Sequence, residues 1–176
     1  FTITVLTTFS LTCLALMQRG VYPNAVALFR RGFFQLLSAH TTTGQSNIYA
    51  RTFVRDWGSL GMLALTIAMA IGASAASTGG GFKGMRMGII FKGIVTDIRK
   101  LLSPERAIVV GHYHHIRDNT LTDGTVKSAA VIVVLYVLIY VVGAVVGMAY
   151  GYPMADTFFE SVSAGSNTGL SCGVTQ

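Results

Sequence analysis

The sequence predicts an all-α membrane protein built from a repeated unit of membrane helix, pore helix and extended Thr/Gly segment. Three observations predict it. The chain of 176 residues is 52% hydrophobic and 11% charged, against about 25% charged residues in an average soluble domain. Uncharged apolar stretches cover residues 1–17 and 57–71, and 126–149 carries a single early charge, Lys127. One motif also occurs twice: Phe33-Phe34, Ser38-Ala39 and Thr43-Gly44 return at the same spacing as Phe158-Phe159, Ser163-Ala164 and Thr168-Gly169. An internal repeat defines an architecture before any local reading does.

The elements follow in order. A membrane helix occupies 1–18 and ends at Arg19-Gly20. It lies at the short limit of the roughly 20 apolar residues that a crossing needs. Tyr22-Pro23-Asn24 opens a pore helix over 23–39, because proline suits the first helical turn. That helix is too short to span. Residues 41–46 read as an extended filter segment: Thr41, Thr42 and Thr43 disfavour helix, and Gly44 admits left-handed backbone.

A second membrane helix, 57–102, begins near Asp56 or Trp57 and is broken by Gly72-Ala73-Ser74-Ala75-Ala76-Ser77-Thr78-Gly79-Gly80-Gly81. Three successive glycines unwind a membrane helix. Irregular backbone at that depth survives only where protein buries it or a wet cavity solvates it. The run is therefore expected to face a pore; composition alone also allows a plain loop at the membrane edge. Residues 82–102 are amphipathic and end at Ser103-Pro104. Alternation over 107–115 predicts a strand, and Asp118-Asn119 and Asp123-Gly124 predict turns. The long apolar helix 126–149 follows. Tyr152-Pro153 then restarts the unit with a pore helix over 153–165 and a filter over 166–171.

The net charge of +6 does not signal nucleic acid, since the basic residues are scattered between apolar runs without interleaved aromatics. Both connecting regions are basic, so charge asymmetry sets no firm orientation; the richer 83–127 region favours the cytoplasm. Cys13 and Cys172 show neither metal spacing nor support for a disulfide. The chain lacks an initiator Met and a signal peptide, begins within an apolar helix and stops after the second Thr-Gly run, and is read as a fragment of a longer protein.

The duplicated unit suits cation chemistry. Potassium-type filters replace the hydration shell of the ion with backbone carbonyls. A short helix behind them directs a C-terminal end worth roughly −0.5 charge at the cation. The carbonyls of Thr42, Thr43, Gly44, Asn167, Thr168 and Gly169 are the predicted ion ligands, with K+ as cargo and no further cofactor.

These motifs, in this order, resemble the Trk/Ktr/HKT superfamily of potassium transporters. The run from Ile71 to Lys83 is similar to that family's gating loop, with Ala75-Ala76 where Pro-Gly is common. The run from Ser163 to Ser171 resembles the fourth-repeat filter, with Asn167 as its departure. The resemblance covers nearly the whole chain. It implies four repeats around one pseudo-four-fold pore, with residues 1–102 as the third repeat, 103–124 as a cytosolic connector and 125–176 as the start of the fourth. It also implies multi-pass insertion in the lipid bilayer of the cell membrane, a homodimer, and a cytosolic nucleotide-binding regulatory ring as partner. Residues 72–81 would be the gate: Gly72, Ala73, Ser74, Ala75, Ala76, Ser77, Thr78, Gly79, Gly80 and Gly81.

Other readings weigh less. His112 and His114 would share one strand face, but no third ligand at proper spacing supports a transition-metal site. His40 either packs behind the filter or tunes its field. Gln35 and Glu160 occupy equivalent positions, and two readings stay open: a carboxylate attracting the cation, or a hydrogen bond fixing the pore helix. An intramembrane serine protease using Ser74 and His40 would leave the duplicated motif unexplained. A non-conducting membrane assembly subunit is a third class. Potassium, with or without sodium, is the expected cargo.

Overall fold

The computed structural model describes residues 2–74, 77–104, 111–115 and 117–174. The chain runs α1 (Thr2–Arg19), α2 (Ala25–Leu28), a π-helical turn (Phe29–Phe33), α3 (Phe34–His40), α4 (Ala50–Ile71), α5 (Gly84–Leu102), β1 (His112–His115), β2 (Arg117–Thr120), α6 (Asp123–Ala149) and α7 (Met154–Gly165). It is mostly helical, with one antiparallel hairpin pairing His112 with Thr120 and His115 with Arg117.

The two apolar helices that precede Tyr-Pro end identically. After α1, Gly20 takes φ 62°; its N–H donates to Met17 O, and Val21 N–H donates to Leu16 O. After α6, Gly151 takes φ 88°; its N–H donates to Met148 O, and Tyr152 N–H donates to Gly147 O. Each is a Schellman closure that uses glycine to reverse the chain. Reversal lays the following short helix back against its parent.

The two short helices differ in detail. The first runs through α2, the π-turn and α3, and the π-turn stacks Phe29 on Phe33 with centroids 5.1 Å apart while Phe9 of α1 meets both edge-on. The second is the single helix α7. It packs on α6 through small residues: Gly143 faces Ser161, and a Cβ at Gly147 would lie 2.6 Å from the Thr157 methyl. Glycines four apart on a membrane helix let a neighbour approach closely. Gly147→Leu is therefore expected to push α7 away from α6. Overpacking of this kind costs roughly 1–3 kcal/mol, which a lowered melting temperature of the detergent-purified full-length protein would register.

Much of the rest of α6 is exposed. Val131, Val134, Leu135, Leu138, Val142 and Val146 are all exposed, so the helix is apolar all round with little protein covering it. By length and composition α6 and residues Thr52–Ile71 of α4 can each cross a membrane. The core lies where α4 meets α1, α3 and α7. Trp57, Phe53, Phe159, Leu36 and Leu65 are buried there, and Phe53 contacts Phe159 at 5.4 Å. Trp57 Nε1 donates to Tyr22 Oη at 3.3 Å, tying the Tyr-Pro turn to this core.

Several expectations shift. The second membrane helix starts at Ala50 rather than near Trp57, but Gly58 interrupts it with φ 64° and ψ −176°. The Arg19 guanidinium fills the space where a Gly58 side chain would stand. Of the strand expected over 107–115, only His112–His115 is extended; residues 107–110 lie outside the described residues. Asp118-Asn119 is not a turn but part of β2. Asp123-Gly124 is the first turn of α6, because Thr122 caps it by accepting from Thr125 N–H.

Candidate ion filter and gating loop

The Thr/Gly runs after α3 and α7 have the same backbone. Thr41 and Ser166 close their helices at φ −82° and −91°, each with ψ near 0°. Thr42 and Asn167 follow at φ 55° and 57°, and Gly44 and Gly169 at 74° and 79°. Thr43 N–H donates to Ser38 O at 3.0 Å, and Thr168 N–H to Ser163 O at 2.9 Å. Thr42 N–H and Asn167 N–H reach Ala39 O and Ala164 O. Hydroxyl pairs match as well: Thr41 with Thr43 at 2.8 Å, Ser166 with Thr168 at 2.7 Å. The runs are thus not simply extended. A Schellman closure starts each one, and positive φ at two positions keeps it out of the β region. Asparagine tolerates that conformation well and β-branched threonine poorly, so the strained member of the pair is Thr42 rather than Asn167.

The two runs lie side by side. A Cβ on Gly44 would overlap Thr168 O, with Gly169 Cα only 3.6 Å away. Around Gly169 nothing stands within 4 Å of a Cβ, and an open groove of about 640 Å3 adjoins it, lined by Gly143, Gly165, Glu160 and Ser171 among others.

The Gly-rich segment meets both runs. Gly80 N–H donates to Ser166 O at 3.1 Å. Thr42 Oγ1 occupies the place of a Gly79 side chain, and Ser166 C and O crowd that of Gly80 at 2.6 and 2.5 Å. Its ends are tied together: Phe82 N–H donates to Ala70 O and Lys83 N–H to Ile71 O, both at 2.8 Å. Lys83 Nζ donates to Ser77 O at 2.6 Å. Gly72, at φ 68°, and Gly81, at 83°, each back onto main-chain atoms of that closure. Phe82 wedges between Tyr136 and Tyr140 of α6 at 6.0 and 5.8 Å. The segment is thus a closed loop whose glycines allow close approach. Gly80 and Gly81 are packed against main chain. Ala75 and Ala76 lie outside the described residues.

His40 is fully buried, and its Nε2 shares a 2.9 Å hydrogen bond with Thr4 Oγ1 of α1. It packs behind the first run, and nothing in this contact supports a Ser74–His40 hydrolytic pair. Among the described residues no group of three or more His, Cys, Asp and Glu side chains converges to hold a metal. Cys13 and Cys172 are free thiols.

The family model for TrkH cation transport proteins matches residues 1–176. The chain belongs to the TrkH family of cation transport proteins. Members are membrane transporters, which accounts for the bare apolar surface of α6. Among relatives, an uncharacterized cation transporter of Methanocaldococcus jannaschii is 33% identical over 141 residues, covering 80% of this chain and 28% of that protein. The Trk system potassium uptake protein TrkH of Escherichia coli K12 is 25% identical over 174 residues, covering 99% of this chain and 33% of that protein. The Salmonella typhimurium protein of the same description is 24% identical over 161 residues, 92% of this chain and 32% of its own length. The chain spans about a third of the length of the curated relatives it matches.

Proposed function

We propose that this chain forms two walls of a carbonyl-lined potassium filter, with its gating loop, in a transporter for uptake of K+, with or without Na+. One observation carries the reading. Two segments separated in sequence adopt the same unusual backbone, positive φ at 42 and 44 and again at 167 and 169, and stand against each other. Alternating positive φ with ordinary backbone lets successive carbonyls turn to one side, as a potassium-type filter needs to replace the hydration shell of its ion. Carbonyls of Thr42, Thr43, Gly44, Asn167, Thr168 and Gly169 are the proposed ligands. A hydrolase would leave the duplicated geometry unexplained, and ion flux is what separates a transporter from a subunit that only assembles others.

The wider arrangement belongs to the same proposal. Residues 1–102 act as a third repeat, 103–124 as a cytosolic connector and 125–176 as the start of a fourth, around a pseudo-four-fold axis in the cell membrane. The open side of Gly169 suits a further filter wall. The loop 72–81 is the gate, since it touches both runs. A homodimer and a cytosolic nucleotide-binding ring are the proposed partners. Lys83 and Arg86 stand at the start of α5, where a partner's pull would reach the loop through the Lys83–Ser77 hydrogen bond.

The test is potassium uptake by the full-length protein in cells lacking their own uptake systems. Rescue of growth at low external potassium is expected. Normal membrane levels without rescue, and without 86Rb+ uptake in vesicles, would remove the transport reading.

A further inference from the structure

We propose that Glu160 and Gln35 are positioning residues that clamp the exits of the two filter segments, Glu160 more tightly than Gln35. The proposal rests on the filter reading above and concerns what holds that filter in shape.

The Schellman closures tie each segment only at its start. Its exit is tied by side chains on the preceding helix: Ser38 Oγ donates to Gln45 O at 2.6 Å in the first run, and an acceptor one turn earlier holds the residues that follow in both. Glu160 Oε1 accepts from Ser171 Oγ at 2.6 Å and from Cys172 N–H at 2.9 Å. Gln35 Oε1 accepts from Asn47 N–H at 3.4 Å and lies 3.3 Å from Ser46 Oγ, whose one proton has a closer acceptor in Ile48 O at 2.7 Å. The register is the same in both: an acceptor on the short helix, then the hydroxyl and the next N–H just past the glycine. Each serine bonds the chain beyond it as well: Ser46 Oγ takes Ile48 N–H at 3.2 Å, and Ser171 Oγ takes Gly173 N–H at 3.0 Å. The equivalent oxygen thus takes part in holding the turn out of each filter, with Ser38 Oγ beside it in the first.

Two readings of this position remained open from sequence: a carboxylate attracting the cation, or a hydrogen bond fixing the helix. The donors decide between them. The backbone N–H aims at the equivalent Oε1 in both repeats, joined by the serine hydroxyl at Glu160, and a neutral amide performs the task in one of them. Gln35 is 3% exposed, so its role there is internal. Hydrogen bonds to a carboxylate are shorter and roughly twice as strong as neutral ones. That difference matches the shorter distances at Glu160 and makes the second exit the stiffer one.

The full-length protein should be assayed for K+/Na+ discrimination in uptake, beside its membrane level. Glu160→Ala is expected to lower discrimination about tenfold, as loss of hydrogen bonds to a charged group implies. Glu160→Gln should restore most of it, because the acceptor oxygen returns. Gln35→Ala should have a smaller effect than Glu160→Ala, and Ser171→Ala, a milder change that leaves Cys172 N–H bonded, an intermediate one. Glu160→Gln as damaging as Glu160→Ala would overturn the clamp in favour of charge. Unchanged discrimination in both Glu160→Ala and Ser171→Ala would overturn it too, provided Gly44→Ser still alters discrimination. If Glu160→Ala fails to reach the membrane, Ser171→Ala and Glu160→Gln decide alone: intact discrimination in Ser171→Ala, or lost discrimination in Glu160→Gln, overturns the clamp. Unaltered discrimination in Gly44→Ser as well would instead indict the filter reading itself.

Discussion

Gly44→Ser is expected to reduce K+ over Na+ discrimination by tenfold or more, and Gly169→Ser to reduce it less. Both glycines have left-handed backbone, φ 74° and 79°. That region costs a residue with a Cβ roughly 1–2 kcal/mol, and each 1.4 kcal/mol is about tenfold where it falls on one ion-bound state. Space separates the two positions. A Cβ at Gly44 lands on Thr168 O, itself a proposed ligand, whereas at Gly169 it enters open space. So Gly44→Ser displaces a carbonyl in the neighbouring wall in addition to straining its own. Competition of Na+ against 86Rb+ uptake by the full-length protein measures both. Unchanged discrimination in the two variants would defeat the filter assignment.

Deleting residues 72–81 is expected to raise flux about tenfold and to weaken its dependence on the cytosolic regulator proposed above. Couplings between regulatory and functional sites typically amount to about 5–150-fold. The deletion is sterically mild. Phe82 and Lys83 already hydrogen-bond to Ala70 O and Ile71 O, so joining Ile71 to Phe82 connects neighbours. What disappears is the backbone packed against both Thr/Gly runs, including the bond from Gly80 N–H to Ser166 O. Lys83→Met, which removes the tie to Ser77 O, should give a smaller rise in the same direction. Flux that stays regulated and unchanged after the deletion, at normal protein levels, would make the loop a mere connector.

The parts that were legible share a cause. The duplicated Phe-Phe, Ser-Ala and Thr-Gly spacing maps onto duplicated geometry because identical short-range hydrogen bonds build both copies. Apolar runs located the helices, and Tyr-Pro located the restarts, since proline cannot continue a helix but can begin one. The hairpin was half legible: alternation marked His112–His115, but a turn was expected where Asp118 and Asn119 pair in β2. Pairing depends on the partner strand, which local composition does not encode. The Gly58 interruption and the π-turn at Phe29–Phe33 had no signal strong enough to read, because apolar periodicity passes through both.

By itself the sequence determined that this is a membrane protein with two copies of a helix, short helix and Thr-Gly unit, and where each copy begins. Those features rest on solvent preference and local backbone limits, which act on neighbours in the chain. Tertiary structure alone decided what the glycines are for. Gly20 and Gly151 close helices, but Gly44, Gly79 and Gly80 are required because another segment's backbone or side chain occupies the space of their missing Cβ. It also decided that Gln35 and Glu160 bond the chain beyond each run, and that the loop rests on both runs. Each of these depends on which distant atoms come within about 3 Å, the reach of a hydrogen bond, and that reach is set by packing rather than by residue order.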